Sequence, residues 1–147
     1  MNNENRNMIA DDQLKEHIRL SIGRILKTYL QLPKKYNQLK IETSNEGLKK
    51  YFHLLNHVFF DGTGKINWDN IRPLMPPDLE KSIQRKYGML SENEIRLCCL
   101  SLFNVNACDI TEILPFTQNS IYSLITRIKK KTGMKNIRED LKPFLIF

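Results

Sequence analysis

The chain has 147 residues, of which 41% are hydrophobic, so it can bury one core and is short enough for one domain, or one small domain with a helical extension. Its net charge is +7, and it contains neither an apolar stretch long enough to span a membrane nor a signal-peptide core. The three cysteines have no CxxC spacing, which predicts reduced thiols. We therefore expect a cytoplasmic protein without membrane association, metal or cofactor.

The first amphipathic segment runs from Asp11 to Leu32, where apolar residues recur at three- and four-residue spacing. This spacing predicts a helix, which Pro33 is expected to end. A lone helix with such a face must bury it, either in a pairing surface with a second copy of the chain or by packing back on Tyr51, Phe52 and Phe59. The sequence leaves both possibilities open.

Shorter helices are predicted between this segment and residue 90. One is expected from Asn45 or Glu46 to Phe60, followed by a glycine-containing loop. Others are expected to begin at Trp68 and after Asp78. No segment shows the alternation of a strand, so we predict an all-α fold with amphipathic N-terminal helices over residues 1–89.

Residues 90–147 show stronger helix signals. Ser91 and Glu94 have the spacing of a capping box, which predicts a buried helix. Its apolar residues are Ile95, Leu97, Cys98, Leu100 and Leu102. Residues 104–106 are expected to break this helix, and a short second helix is predicted from Ala107 to Leu114. Pro115 is expected to end that helix, since proline lacks a backbone N–H and disfavours helix at the preceding residue.

A third helix is predicted over residues 117–132, with Thr117 as its cap and Ile121, Leu124, Ile125 and Ile128 as its apolar stripe. The remaining side chains carry amides, hydroxyls and positive charges, which are suited to a DNA major groove and its phosphates. These candidate DNA-binding residues are Thr117, Gln118, Asn119, Ser120, Tyr122, Ser123, Thr126, Arg127, Lys129, Lys130 and Lys131. The order of short helix, turn and polar helix predicts a helix-turn-helix.

These residues also carry a resemblance to a known family. The segment 109–121 resembles the core "EIAEILGISPKTV" of LuxR-type helix-turn-helix domains, and 126–133 is similar to that family's ending "SRIRKKLG". Residues 90–133 resemble the C-terminal domain of a group of Bacteroides regulators, in which a first helix of the form "LSExExRxCCLxxLG" precedes the motif. The resemblance covers about half the chain. It implies a C-terminal four-helix LuxR-like DNA-binding domain over residues 90–147.

The sequence departs from the family pattern at four positions. Pro115 stands where the family usually has a turn glycine or asparagine, and Gln118 replaces a common proline. Thr132 replaces a core leucine, and Phe103 lies near the usual glycine. The resemblance further implies a transcriptional regulator that binds double-stranded DNA as a dimer. The 11–32 helix is then the candidate pairing surface, and RNA polymerase or another regulator is a candidate partner.

The charge distribution supports an anionic partner only weakly. Residues 1–90 contain 15 basic and 10 acidic residues, whereas residues 91–147 contain 8 and 6, so the predicted DNA-binding part carries only +2. An alternative is therefore a helix-turn-helix fold that docks on another protein without binding DNA. Exposure of both Leu124 and Ile125 would indicate such a docking patch. Attachment of the basic N-terminal helix to a membrane surface is a weaker alternative.

Signals for other chemistry are incomplete. The loop from Asp61 resembles part of an EF-hand, but Phe59 and Asn70 would occupy positions that need carboxylates. His53 and His57 lie four residues apart without a third metal ligand or the glutamate of a metalloprotease. No nucleophile is paired with a base in the sequence. We therefore do not expect an enzyme.

Overall fold

The computed structural model describes residues 3–145, with side chains described for residue 8 and residues 10–145. Within this part of the chain the fold is all-α, as predicted, and only an isolated bridge joins Phe60 to Ile66. The helices are α1 (Asn3–Glu42), α2 (Glu46–Phe59), α3 (Trp68–Ile71), α4 (Leu79–Lys86), α5 (Glu92–Leu102), α6 (Ala107–Ile110), α7 (Gln118–Thr132) and α8 (Ile137–Asp140). Short 3-10 turns follow α3 and α8, at Arg72–Leu74 and Lys142–Phe144. No described helix is long and apolar enough to cross a membrane.

The prediction that Pro33 ends the first helix is wrong, because α1 continues through it to Glu42. A proline inside a helix removes one backbone hydrogen bond and costs about 3 kcal/mol. Here Pro33 is itself buried, with Leu30 one turn before it and Tyr36 one turn after it. The burial of this face offsets the local cost, so tertiary packing outweighs the propensity of a single residue.

The helix α2 begins at the predicted Glu46 and ends at Phe59, one residue before the predicted Phe60, which is its C-cap. The Asn45 side chain accepts a hydrogen bond from the Leu48 N–H at 3.1 Å and so caps the helix. Phe52 and Phe59 pack against the Tyr36 ring of α1, with ring centroids 5.6 and 5.2 Å away. The two helices therefore form a hairpin, although no residue of α2 is buried.

The core is built around α5. The predicted capping box is confirmed, since Glu94 N–H donates to the Ser91 hydroxyl at 3.2 Å and Ser91 N–H donates to the Glu94 carboxylate at 2.9 Å. The five apolar residues predicted for this helix are all buried, and so is Cys99. Burial of the Cys98 thiol raises its pKa to about 12, as expected for an unreactive core residue.

One hydrophobic cluster crosses the predicted boundary near Leu90. It includes Leu26 and Leu30 of α1 and Ile71 of α3 as well as the apolar residues of α5 and α7. At Gly23, α1 approaches so closely that an added Cβ would lie 2.6 Å from the Phe103 carbonyl oxygen. Glycine therefore permits the contact that places α1 beside the C-terminal helices.

The segment between α2 and α5 is fixed by polar contacts. The Trp68 indole N–H donates to Glu80 at 2.9 Å, and the same carboxylate accepts from Arg72 at 2.8 Å. The Arg96 guanidinium lies 5.2 Å from the Trp68 ring centroid. These contacts attach α3 and α4 to α5.

The C-terminal segment closes the other side of the core. The Asn136 side chain caps α8 by accepting a hydrogen bond from Glu139 N–H at 3.2 Å. Lys142 lies 3.1 Å from Glu16 of α1, which ties the end of the described chain to its first helix. The sequence ends in an apolar tail over residues 144–147, of which residues 146 and 147 lie outside the described part.

Candidate nucleic-acid interface

The second predicted helix is shorter than expected. Asn106 caps α6 through a hydrogen bond from Asp109 N–H at 2.8 Å, but regular helix ends at Ile110 and hydrogen-bonded turns continue to Leu114. The predicted boundary at residue 114 is therefore wrong. The predicted buried face is present nevertheless, because Ile110, Ile113 and Leu114 are all in the core.

The turns that follow Ile110 make contacts with the N-terminal part of the chain. In a continuing helix the Thr111 carbonyl would accept from the residue at 115, but Pro115 has no N–H. Thr111 instead accepts from the Lys65 ammonium at 2.8 Å, and the Glu112 carbonyl accepts from the Ile66 N–H at 2.8 Å. The loop before α3 thus satisfies the Thr111 carbonyl, whose helical donor Pro115 cannot supply, and the Glu112 carbonyl next to it.

The third predicted helix forms with its expected cap. Ser120 N–H donates to the Thr117 hydroxyl at 3.2 Å, and α7 ends at Gly133, whose φ of 76° lies in the left-handed region that favours glycine. The predicted stripe contains Ile121, Leu124 and Ile128, which are buried, and Ile125, which is partly buried against the core. This packing fixes which face of α7 is directed outward.

The outward face carries most of the predicted site residues. Exposed side chains are Thr117, Gln118, Asn119, Ser120, Tyr122, Ser123, Thr126, Arg127, Lys130 and Lys131. Two of the hydroxyl groups are engaged locally: Thr117 donates to Ser120 at 2.9 Å, and Thr126 donates to the Tyr122 carbonyl at 3.2 Å. The side chains of Gln118, Asn119 and Arg127 have no hydrogen-bond partner among the described residues. No acidic residue occurs in α7, so its outward face is uniformly neutral or positive.

The lysines at the end of α7 differ in their surroundings. Lys130 is exposed, whereas Lys129 is partly buried. The Lys131 ammonium lies 2.9 and 3.1 Å from the two carboxylate oxygens of Glu94, whose side chain is only 4% exposed. Lys131 therefore holds α7 against α5, a contact that sequence spacing cannot indicate because 37 residues separate the pair.

The Glu94 carboxylate is stabilised in its charged form. Burial opposes its ionisation, but the hydrogen bonds from Ser91 and from the Lys131 ammonium outweigh that effect and lower the pKa of Glu94 below its ordinary value. The pair thus connects the cap of α5 to the last turn of α7.

A second ion pair joins α1 to α6. The Lys34 ammonium lies 3.0 Å from Asp109, and this hydrogen bond raises the pKa of Lys34 above its ordinary value. Sequence reasoning missed the contact because it ended α1 at Pro33. The continued helix is what brings Lys34 beside α6.

Two other motifs form local contacts. The Asp61 carboxylate accepts from Thr63 N–H at 2.8 Å and from the Thr63 hydroxyl, which lowers the pKa of Asp61 and closes a tight turn. The rings of His53 and His57 lie 5.7 Å apart on exposed positions of α2. Within the described residues, no group of three or more histidine, cysteine or acidic side chains is arranged to hold a metal ion.

The helix pair formed by α6 and α7 thus combines a buried support with an outward polar and cationic surface. Comparison with known proteins adds no identification: no family model, curated protein or solved structure matches this chain.

Proposed function

We propose that this protein is a sequence-specific DNA-binding transcriptional regulator in which α7 enters the major groove and α6 lies toward the phosphate backbone. The observation that carries the proposal is the outward face of α7, where amide and hydroxyl side chains adjoin Arg127 and Lys130 without any acidic residue. Gln118 and Asn119 are suited to bidentate contacts with adenine. The resemblance to LuxR-type domains supports the same assignment.

The roles of the α7 residues follow from their surroundings. The exposed residues from Thr117 to Arg127 form the candidate base-reading and backbone-contacting set, while Lys129 and Lys130 bind phosphates. Lys131 remains a candidate phosphate contact, but its ammonium already has a carboxylate partner in Glu94. We therefore expect a smaller contribution to DNA affinity from Lys131 than from Lys130.

The test is a binding titration against random-sequence duplex DNA at several salt concentrations. The variant Arg127→Ala/Lys129→Ala/Lys130→Ala is compared with wild type and with a control of equal charge loss, Lys49→Ala/Lys50→Ala/Arg85→Ala, all checked for folding. Loss of three phosphate contacts reduces the magnitude of the slope of log K against log salt by about three. Selection of a preferred site from a random DNA pool then tests sequence specificity.

The α7 variant should change this slope and the control should not. If the α7 variant and the control had equal slopes of log K against log salt, the phosphate contacts could not be assigned to α7. Absence of wild-type binding even at low salt would contradict DNA binding and favour the alternative, a helix-turn-helix fold that docks on another protein.

The exposed apolar residues of α1 favour association with another protein chain. Leu14, Ile25, Leu32 and Leu39 are 49–55% exposed, and the last three are seven residues apart, which places them on one side of α1. By contrast, Leu124 is buried, so Leu124 and Ile125 do not form the exposed docking patch that was considered for α7. The exposed stripe, rather than α7, is thus the candidate protein-binding face.

We propose that this stripe pairs two copies of the chain, consistent with half-site binding by helix-turn-helix dimers. The variant Ile25→Glu/Leu32→Glu is expected to remain folded and to sediment as a monomer at concentrations where wild type sediments as a dimer. Leu54→Glu, at an exposed position of α2, is the control. A monomeric wild type would contradict pairing and leave a different protein partner as the occupant of the stripe.

A further inference from the structure

Two positive side chains of α1 lie beside the helix-turn-helix rather than within it. Arg24 and Lys27 are exposed, about one turn apart, and neither forms an ion pair with a described residue. They line a groove of about 260 Å³ whose opposite side is formed by Asn104, Asn106 and Asp109 at the start of α6. This cationic side of α1 therefore runs along the helix that supports α7.

The position of these cations is fixed by packing on both sides of them. Gly23 contacts the Phe103 carbonyl, Leu26 and Leu30 are 1% exposed, and Lys34 is paired with Asp109. Arg24 and Lys27 thus project from a helix that is attached to the α5–α6 region at several points. Their placement beside α6 is a property of the core.

Shared contacts link this groove to the outward face of α7. Asp109, which lines the groove, is paired with Lys34, and Lys34 lines a second groove together with Thr111, Phe116 and Thr117. Phe116 in turn lines a hollow with Asn119, Ser123 and Arg127 of α7.

The charges along this path favour an anion at Arg24 and Lys27. Of the nearby acidic groups, Asp109 is already paired with Lys34, and Glu112 also acts on Lys34, whose pKa it helps to raise. The positive charges of Arg24 and Lys27 are left without such compensation among the described residues. In helix-turn-helix complexes the helix before the recognition helix crosses the DNA backbone, which is the place occupied here by α6 and the groove beside it.

We propose that Arg24 and Lys27 bind DNA phosphates next to the site entered by α7, so that the N-terminal helix extends the DNA interface. This inference rests on the proposed function. In this proposal α1 increases the affinity for DNA and the length of DNA that the protein covers. It does not read bases, since phosphate contacts carry no direct sequence information.

The test compares wild type with Arg24→Gln/Lys27→Gln in salt-dependent titrations of random-sequence duplex DNA. Glutamine removes the charges and retains similar helix propensity. The variant Arg24→Lys/Lys27→Arg keeps both charges, and Lys49→Gln/Lys50→Gln on α2 is the matched control. Unfolding midpoints establish that all four proteins are folded to the same extent.

We expect the Arg24→Gln/Lys27→Gln variant to have a slope of log K against log salt that is smaller in magnitude by about two, with wild-type slopes in the charge-retaining variant and the control. An unchanged slope in this variant, together with a reduced slope in the α7 variant, overturns this inference and leaves DNA binding by α7 intact. A wild-type protein that binds no DNA at low salt overturns both proposals.

Discussion

The helices α5 and α2 show how differently two amphipathic segments can be used in one chain. Seven of the 11 residues of α5 are buried, including both of its cysteines, whereas none of the 14 residues of α2 is. Both segments have apolar residues at helical spacing. The spacing therefore shows that a face is available for burial, while the neighbours that the fold supplies decide whether it is buried.

The largest expected effect comes from comparing a leucine in each region. Leu102→Ala removes a side chain that is 0% exposed and should lower the free energy of unfolding by about 2–5 kcal/mol, because a cavity is left in the core. Leu54→Ala, at a position 67% exposed on α2, should change it by less than about 0.5 kcal/mol. Chemical denaturation measures both. A large effect of Leu54→Ala would mean that the hairpin is covered in solution.

The contact of α1 with the end of α5, at Gly23 and Phe103, is expected to have the next largest effect. Gly23→Ala raises helix propensity by about 1 kcal/mol, but its Cβ would lie 2.6 Å from a backbone oxygen and force α1 to shift. We expect a net loss of about 1–3 kcal/mol in thermal or chemical unfolding. Gly62→Ala is the control, since nothing lies within 4 Å of its Cβ. Stabilisation by Gly23→Ala would indicate that α1 does not dock at Phe103 and would remove the basis for placing Arg24 beside α6.

A smaller effect is expected within the C-terminal region, at the pair of Glu94 and Lys131. Lys131→Met leaves the Glu94 carboxylate without its cation and should cost about 1–2 kcal/mol, less than for a fully buried pair because the Lys131 side chain is 37% exposed. Lys130→Met, at an exposed position without an ion-pair partner among the described residues, should have almost no effect on stability. Equal stabilities for the two variants in urea unfolding would contradict this role of Lys131.

The same pair predicts the direction of a pH dependence. Because the folded-state pKa of Glu94 is lowered from 4.5, its contribution to stability is complete above that pH and is lost as the pH falls through the lower folded-state value. Glu94→Gln should therefore be less stable than wild type near neutral pH, and the difference should shrink below pH 4.5. A difference that stays constant into acid would exclude the carboxylate charge as its cause.

The sequence predicted the elements that depend on residues close together in the chain. The predicted caps at Ser91 and Thr117 form as expected, because each needs only a side chain and an N–H three residues away, and Asn45 and Asn136 cap their helices in the same way. The buried stripe of α5 was predictable for the same reason, since its spacing is a property of one helix. The exposure of most candidate residues of α7 was also predictable, because they lie off the apolar stripe of that helix.

Other features depend on contacts between distant parts of the chain, and sequence reasoning missed them or left them open. The local rule for Pro33 fails because burial beside Leu30 and Tyr36 outweighs it. The hydrogen bonds from Lys65 and Ile66 to the carbonyls of the turns after α6 join segments about 46 residues apart, so sequence spacing did not indicate them. For the first helix, the sequence left open whether its apolar face pairs with a second copy or packs internally. In the structure one part of that face packs internally and another does not, since Leu26 is buried in the core and Ile25 beside it is exposed.

The all-α class, the caps at Ser91 and Thr117 and the polar face of α7 were predictable from local sequence, because each depends on hydrogen bonds or side-chain spacing within one segment. The extension of α1 past Pro33, the pairing of Lys131 with Glu94 and the position of Arg24 and Lys27 beside α6 became known only from the three-dimensional packing. The physical reason is that these contacts join residues far apart in sequence, and their free energy depends on the packing of the whole core.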